Sequence, residues 1–277
     1  MHKQDYHLIT SDNEVIKITA YGDLANINRC IIYVHGFKGF KDWGFVPYLG
    51  EFLASKNFFV LTFNFSHNGI GENPLEFTEN DKFARNTYSR EISELSELVK
   101  AYLRNYFGKT GKSKIGLLGH SRGGAISILA ATFIEEITAV VLWSSISRVD
   151  RYTKHQKEEW KKNKFYEVIN KRTGQVMRLD ISLLQDIEAN SNTTLNILKA
   201  VAKFNKPLLI AHGEQDLTVP IKEAEELYEW SNKKFTKFIK IPSTGHTFDI
   251  KHPFEESNKK FDELLGKTYL FFEKNLN

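Results

Sequence analysis

The stretch "GHSRGG", residues 119–124, frames a serine with glycines and holds the clearest chemical potential in this 277-residue chain. The apolar run "IGLL" precedes Ser121 and "GGAISIL" follows it, so the serine stands where a strand turns directly into a helix. Such a turn holds its central residue in an unfavourable backbone conformation and points the hydroxyl outward. Side chains at Gly119 and Gly123 would collide across it. The N–H of Arg122 opens the helix and faces the place where an oxyanion would form. A glycine-rich packing turn is the other reading of the same residues.

A serine hydroxyl is a weak nucleophile and needs a base. Among nine histidines, His246 lies in "PSTGHTF", a loop after the last expected strand, from which an imidazole can reach back over the sheet edge. His120 adjoins the serine and is expected to point away from it. His35 and His212 end buried runs and are expected to satisfy loop hydrogen bonds. The base needs an orienting carboxylate in turn. Asp216 in "HGEQDLTVP" is the candidate, because its loop neighbours that of His246 and a proline-started helix follows. Glu214, Asp249 and Asp150 compete with it. In "VHGFKGFKDW", His35-Gly36 closes a strand and the N–H of Phe37 becomes a second oxyanion donor beside that of Arg122.

These residues need a scaffold that brings strand ends to one edge. The opening "YHLITSDNEVIKITAYG" reads as a hairpin turning at "SDNE". After it, continuously apolar runs ("CIIYVHG", "FFVLTFNF", "TAVVLWSS", "KPLLIAHG") alternate with amphipathic stretches, of which residues 84–107 are the longest. "FTKFIKI" is a last strand, and residues 253–275 are expected to close the chain as a helix. Alternation of strand and helix predicts an α/β fold: a mostly parallel sheet of about eight strands covered by helices on both faces. In such sheets ligands bind beyond the carboxyl ends of the strands, where "HGF", "HSRGG", "HGEQD" and "TGHTF" all fall.

One interval breaks the rhythm. About sixty residues separate "LWSS" from "KPLL", far more than the dozen or so a crossover needs. "FYEVINKRTGQVMRLDI" reads as a hairpin within it, and "DISLLQDIEAN" and "NTTLNILKAVAKF" as helices. The chain is therefore expected to form a single domain, 1–277, with an inserted cap at 147–203. Apolar cap residues, among them Trp160, Phe165, Tyr166 and Met177, are expected to wall a substrate pocket over Ser121. The segment 148–164 carries seven Lys/Arg against three Asp/Glu and reads as a solvated helix face.

The four strand-end motifs, in this order, resemble the α/β-hydrolase superfamily over nearly the whole chain. "HGFKGFKDW" with a hairpin-bearing cap is similar to the esterase branch that contains cinnamoyl and feruloyl esterases. Dienelactone hydrolases share the scaffold but use a cysteine nucleophile, where this chain has Ser121. Epoxide hydrolases and dehalogenases carry aspartate there. The resemblance implies a serine carboxylic-ester hydrolase acting on a small or aromatic acyl ester, with Ser121, Asp216 and His246 as the triad. An aminopeptidase-like amidase, an acyl-thioesterase, and a non-catalytic binding protein on the same scaffold are the alternatives.

Bulk properties agree with that class. A composition 41% hydrophobic and 26% charged is that of a globular chain, and a net charge of +4 gives no cause to expect a nucleic-acid partner. The sequence has no apolar run of 18 residues, so no membrane span is expected, and its first residues carry no apolar signal-peptide core. One cysteine, Cys30, excludes an intrachain disulfide and suits a reducing compartment, so a cytoplasmic protein is expected. No metal-ligand spacing is present; neither metal nor organic cofactor is expected, and the partner is a small-molecule ester. The sequence does not fix an oligomeric state.

Overall fold

In a computed structural model, which describes residues 2–24, 27, 29–109 and 114–276, the apolar runs become the strands of one eight-stranded sheet. β1 (Lys3–Ile9) and β2 (Val15–Tyr21) form the opening hairpin, paired Lys3 to Tyr21 through Ile9 to Val15. β3 (Arg29–Val34), β4 (Phe59–Asn64), β5 (Lys114–His120) and β6 (Ile137–Trp143) follow. Two further sheet strands, β9 (Leu208–Gly213) and β10 (Thr236–Ile241), complete the order β1-β2-β4-β3-β5-β6-β9-β10. β2 meets β4 antiparallel; every pairing from β4 to β10 is parallel. The expected fold class, a mostly parallel sheet within an α/β-hydrolase architecture, is the one observed.

Side-chain alternation along the buried strands decides the layering. On β3, Cys30, Ile32 and Val34 face one core; Ile31 and Tyr33 face the other. The first core is closed by α3 (Tyr88–Leu103) through Leu95, Leu98 and Tyr102, and by α4 (Arg122–Ala130). The second is closed by α1 (Val46–Ser55) and by α9 (Lys259–Asn275), which contribute Val46, Leu49, Phe261 and Phe272. Helix starts follow their caps: Thr87 accepts from Arg90 N–H at α3, and Asn258 accepts from Lys260 and Phe261 N–H at α9. That asparagine starts the closing helix at Lys259, six residues after the expected 253. A five-residue helix, α2 (Asn80–Ala84), has no clear signal in the sequence.

Between β6 and β9 run α5 (Lys154–Asn163), β7 (Phe165–Ile169), β8 (Val176–Asp180), α6 (Ile181–Asn190) and α7 (Ile197–Lys203). α5 is the charged stretch, started by a capping box between Thr153 and Gln156. β7 and β8 form a separate two-stranded hairpin. The interval is tied to the main body by hydrogen bonds from Ser89 N–H and Oγ to Asp186, and from Gln175 Nε2 to Phe77 O and Asn80 Oδ1. The last sequence helix before the C-terminal strand, α8 (Ile221–Trp230), follows Pro220 directly.

Candidate active site

Ser121 joins β5 to α4 with φ 57° and ψ −122°, a conformation L-residues avoid. The turn is fixed on both sides, because Ser121 N–H donates to Trp143 O at 2.8 Å and Gly124 N–H to Ser121 O at 3.0 Å. Glycine is required around it: a Cβ on Gly119 would lie 2.3 Å from Gly123 O, and one on Gly123 would lie 2.1 Å from Val34 O. The close approach of β3, β5 and α4 therefore depends on bare backbone here.

The β9 loop brings Asp216 beneath His246. His246 Nδ1–H donates to Asp216 Oδ2 at 2.7 Å; the carboxylate is fully buried, whereas the imidazole is 19% exposed. Thr218 and Val219 N–H donate to the other oxygen, Oδ1, each at 2.9 Å. His212 Nε2–H bonds Val219 O at 2.8 Å and also lies 3.3 Å from Asp216 Oδ2. Burial would raise the Asp216 carboxyl, but the hydrogen bonds from His212 and His246 outweigh it and hold it well below the usual carboxylate range. The competing acids are engaged elsewhere: Asp150 pairs with Lys157, Asp249 accepts from Gly245 N–H, and Glu214 is exposed.

Ser121 and His246 line one cleft of about 140 Å³, whose walls include Phe37, Lys38, Trp43 and His120. His35, also in the cleft wall, donates from Nδ1 to Gly36 O at 3.0 Å and accepts at Nε2 from Phe65 N–H at 3.2 Å. Burial lowers its pKa to about 4, so it stays neutral and holds the Gly36–Phe37 turn. Neither Phe37 N–H nor Arg122 N–H has a protein acceptor among the described residues. The Arg122 side chain turns the other way. Its Nε donates to buried Glu91 at 2.8 Å and its guanidinium lies 3.9 Å over the Tyr88 ring.

His120 Nε2–H donates to His246 O at 2.9 Å, and its ring lies 4.8 Å from that of His246. Strand alternation puts it on the α1 and α9 face, beside Phe45, where the His246 loop folds down. Burial and the neighbouring His246 lower its pKa to about 3. One expectation needs correction: none of Trp160, Phe165, Tyr166 and Met177 lines the Ser121 cleft. Trp160 and Met177 are 0% and 1% exposed in the main core: Trp160 is the buried residue of α5, and Met177 is on the face of the hairpin that turns toward the body. Phe165 stacks under Arg178, and Tyr166 packs on Trp160 and accepts from Gln156.

Residues 100–271 match the family model described as BAAT / Acyl-CoA thioester hydrolase C terminal. The chain belongs to this family. A comparison with curated proteins gives no match. Among solved structures, alpha/beta hydrolase GrgF from Penicillium sp. sh18 superposes with TM-score 0.76 at 13% identity, over 100% of this chain and 99% of that one. Est1E from Butyrivibrio proteoclasticus, solved with ferulic acid bound, gives TM-score 0.72 at 19% identity, over 98% of each chain. The Pyrococcus furiosus esterase Pf2001 gives 0.65 at 20% identity, over 100% of this chain and 91% of that one. These likenesses establish the α/β-hydrolase fold, and the acyl-CoA thioester hydrolase family makes the chain a hydrolase. Among the described residues no helix of this family member is long and apolar enough to cross a membrane. No group of three or more His, Cys, Asp or Glu among them could hold a metal ion.

Proposed function

We propose that the chain is a serine hydrolase that cleaves small carboxylic esters through an acyl-enzyme intermediate. The observation that carries this is one cleft shared by a strained Ser121 and by His246, whose Nδ1–H is held by a buried carboxylate. With Nδ1 committed as donor to Asp216, the neutral imidazole keeps Nε2 as its basic nitrogen. Nε2 takes the Ser121 proton as Oγ attacks the acyl carbon. The carbonyl oxygen becomes an oxyanion held by Phe37 and Arg122 N–H, and collapse expels the alcohol, which receives the proton from His246. Water then attacks the acyl-enzyme by the same route, releasing the acid and restoring Ser121. Asp216 remains ionised and stabilises the imidazolium.

A cleft of about 140 Å³ is below the usual ~300–1,000 Å³ of drug-sized ligand sites, which favours a short acyl group. Residues 147–203 act in this reading as a cap that sets access to the cleft. The family description favours acyl-thioesters as the second substrate class, since the same three residues suit either leaving group. The test is covalent labelling by a fluorophosphonate, together with Ser121→Ala. Wild type should label at Ser121, and the variant should lose ester turnover by about 10⁴–10⁶ while keeping its far-UV signature. A variant that retains a tenth of the activity would overturn the assignment. Rates on matched p-nitrophenyl, anilide and thioester substrates then rank the leaving groups.

A further inference from the structure

Lys38 and Arg172 come to the neighbourhood of the Ser121 cleft from two loops far apart in the chain. Lys38, in the loop after β3, lines the cleft and donates from Nζ to Ile169 O of the hairpin at 3.1 Å. Arg172, in the hairpin turn, sets its guanidinium 5.5 Å over the ring of Phe40, another cleft residue, and 5.9 Å over Phe77. Lys171 stands next to it. No carboxylate lies within ion-pair distance of any of the three among the described residues.

Several other partly buried cations of the fold are each met by an acid: Arg122 by Glu91, Arg29 by Glu273, Lys41 by Asp42, Lys157 by Asp150. Lys38 has its pKa lowered by burial and by the charges of Lys171 and Arg172, and Arg172 is lowered by burial. His252, whose ring is stacked on Trp43, is lowered by burial and by Arg172. Cations brought together and partly dehydrated, with no acid between them, repel one another, and a ligand anion would relieve that repulsion.

Resting on the esterase reading above, we infer that Lys38 and Arg172 form a subsite for an anionic group, carboxylate or phosphate, carried by the substrate close to its scissile ester. Lys38 supplies a compact ammonium from the cleft wall. Arg172 supplies a planar fork able to grip two oxygens at once. Because one cation belongs to the sheet loop and the other to the inserted hairpin, the anion would also hold the hairpin over the cleft.

The experiment compares kcat/KM for p-nitrophenyl butyrate and p-nitrophenyl hemisuccinate, equal in length and differing in a terminal carboxylate. Wild type should prefer the hemisuccinate by about tenfold or more, the size expected of one charge-assisted contact. The preference should shrink with added salt, vanish in Arg172→Gln and invert in Arg172→Glu. Competition by succinate or by inorganic phosphate at fixed ionic strength separates the two anion sources. Ser121 that labels and cleaves butyrate without discriminating the pair, or a preference untouched by Arg172→Glu, would overturn the subsite. If Ser121 fails to label, the esterase reading is at fault instead. Calorimetric binding of succinate and phosphate to wild type and Arg172→Glu then still decides, with equal or absent binding in both overturning the subsite.

Discussion

His246 Nδ1 lies 2.7 Å from Asp216 Oδ2, and that carboxylate is completely shielded from solvent. Four groups converge on it: two imidazoles on Oδ2 and two backbone N–H groups on Oδ1. A buried carboxylate held this way stays ionised and fixes the tautomer of whichever imidazole it orients. Asp216→Asn should therefore lower ester turnover by about 10⁴ with little change in structure. Asp249→Asn and Asp150→Asn, whose parent carboxylates serve a loop N–H and a lysine, should remain within a few-fold of wild type. Steady-state rates on one ester across the three variants test the assignment, and a worse defect at 249 or 150 would move the carboxylate elsewhere.

The pH profile follows from the same pair. Asp216 is held well below the carboxylate range, so it stays ionised across the profile. Attack by Ser121 needs a neutral base to take its proton, and kcat/KM should fall on the acid side with a slope of one proton. His35 and His120, lowered to about 4 and about 3, contribute no step above those values. A two-proton acid limb near neutrality would mean that another group gates the chemistry.

Much of this was legible before any coordinates. The apolar runs name the central strands because strands buried on both faces need no alternation to be seen. Ser121, Asp216 and His246 stand out because each follows such a run with a distinctive turn. What escaped the sequence depended on which way a residue faces across a contact distant in the chain. His120 touches the carbonyl of His246, 126 residues away. Trp160 and Met177 read as candidate pocket walls because apolar character marks burial without telling a core from a cleft. Lys38 and Arg172 are ordinary surface cations until the hairpin is folded onto the loop after β3.

Behind the serine turn, the Arg122–Glu91 pair is buried, with side chains 6% and 5% exposed. Burial pushes the Glu91 carboxyl up against the pull of Arg122. Glu91→Ala would leave a guanidinium inside the protein without a counter-charge, a loss of about 3–5 kcal/mol. Urea denaturation of wild type and variant measures it. A shift under ~1 kcal/mol would show that water or another acid replaces Glu91 readily.

A second buried acid gives a stability signature in pH. Glu94 accepts from Ser66 N–H and Oγ, and burial raises its pKa to about 7 from the ordinary 4.5. Its folded value lies above its unfolded value, so its contribution is fully present below about 4.5 and is lost as pH rises through about 7. His67, beside Ser66, is lowered to about 4 by burial, and its contribution runs the other way, lost as pH falls toward that value. Glu94→Gln copies the protonated acid and leaves His67 in place. The variant should therefore gain stability relative to wild type as pH rises from 4.5 to 7, by an amount of order 1–3 kcal/mol. Parallel stability curves for the two proteins across this range would show that Glu94 does not titrate there.

The inserted hairpin can be tested for its share of the core. Met177 and Leu179 on β8 are each 1% exposed, and Trp160, on the preceding helix, is fully buried against Tyr152 and Tyr166. Replacing residues 165–180 by a Gly/Ser linker would strip Met177 and Leu179 from the core and uncover Trp160. Each such loss costs about 2–5 kcal/mol when made singly. Two together approach the whole stability of a typical domain, about 5–15 kcal/mol. The linker protein should therefore lose its cooperative melt, and with it turnover of short and aromatic esters alike. By contrast, Ile169 and Val176 face solvent across the same hairpin, 61% and 56% exposed. Serine at either should change stability by no more than about 0.5 kcal/mol. Thermal melts of the three proteins decide the matter. A linker variant that melts as wild type does would show that the hairpin is an independent lid, with Met177 and Leu179 dispensable to the core.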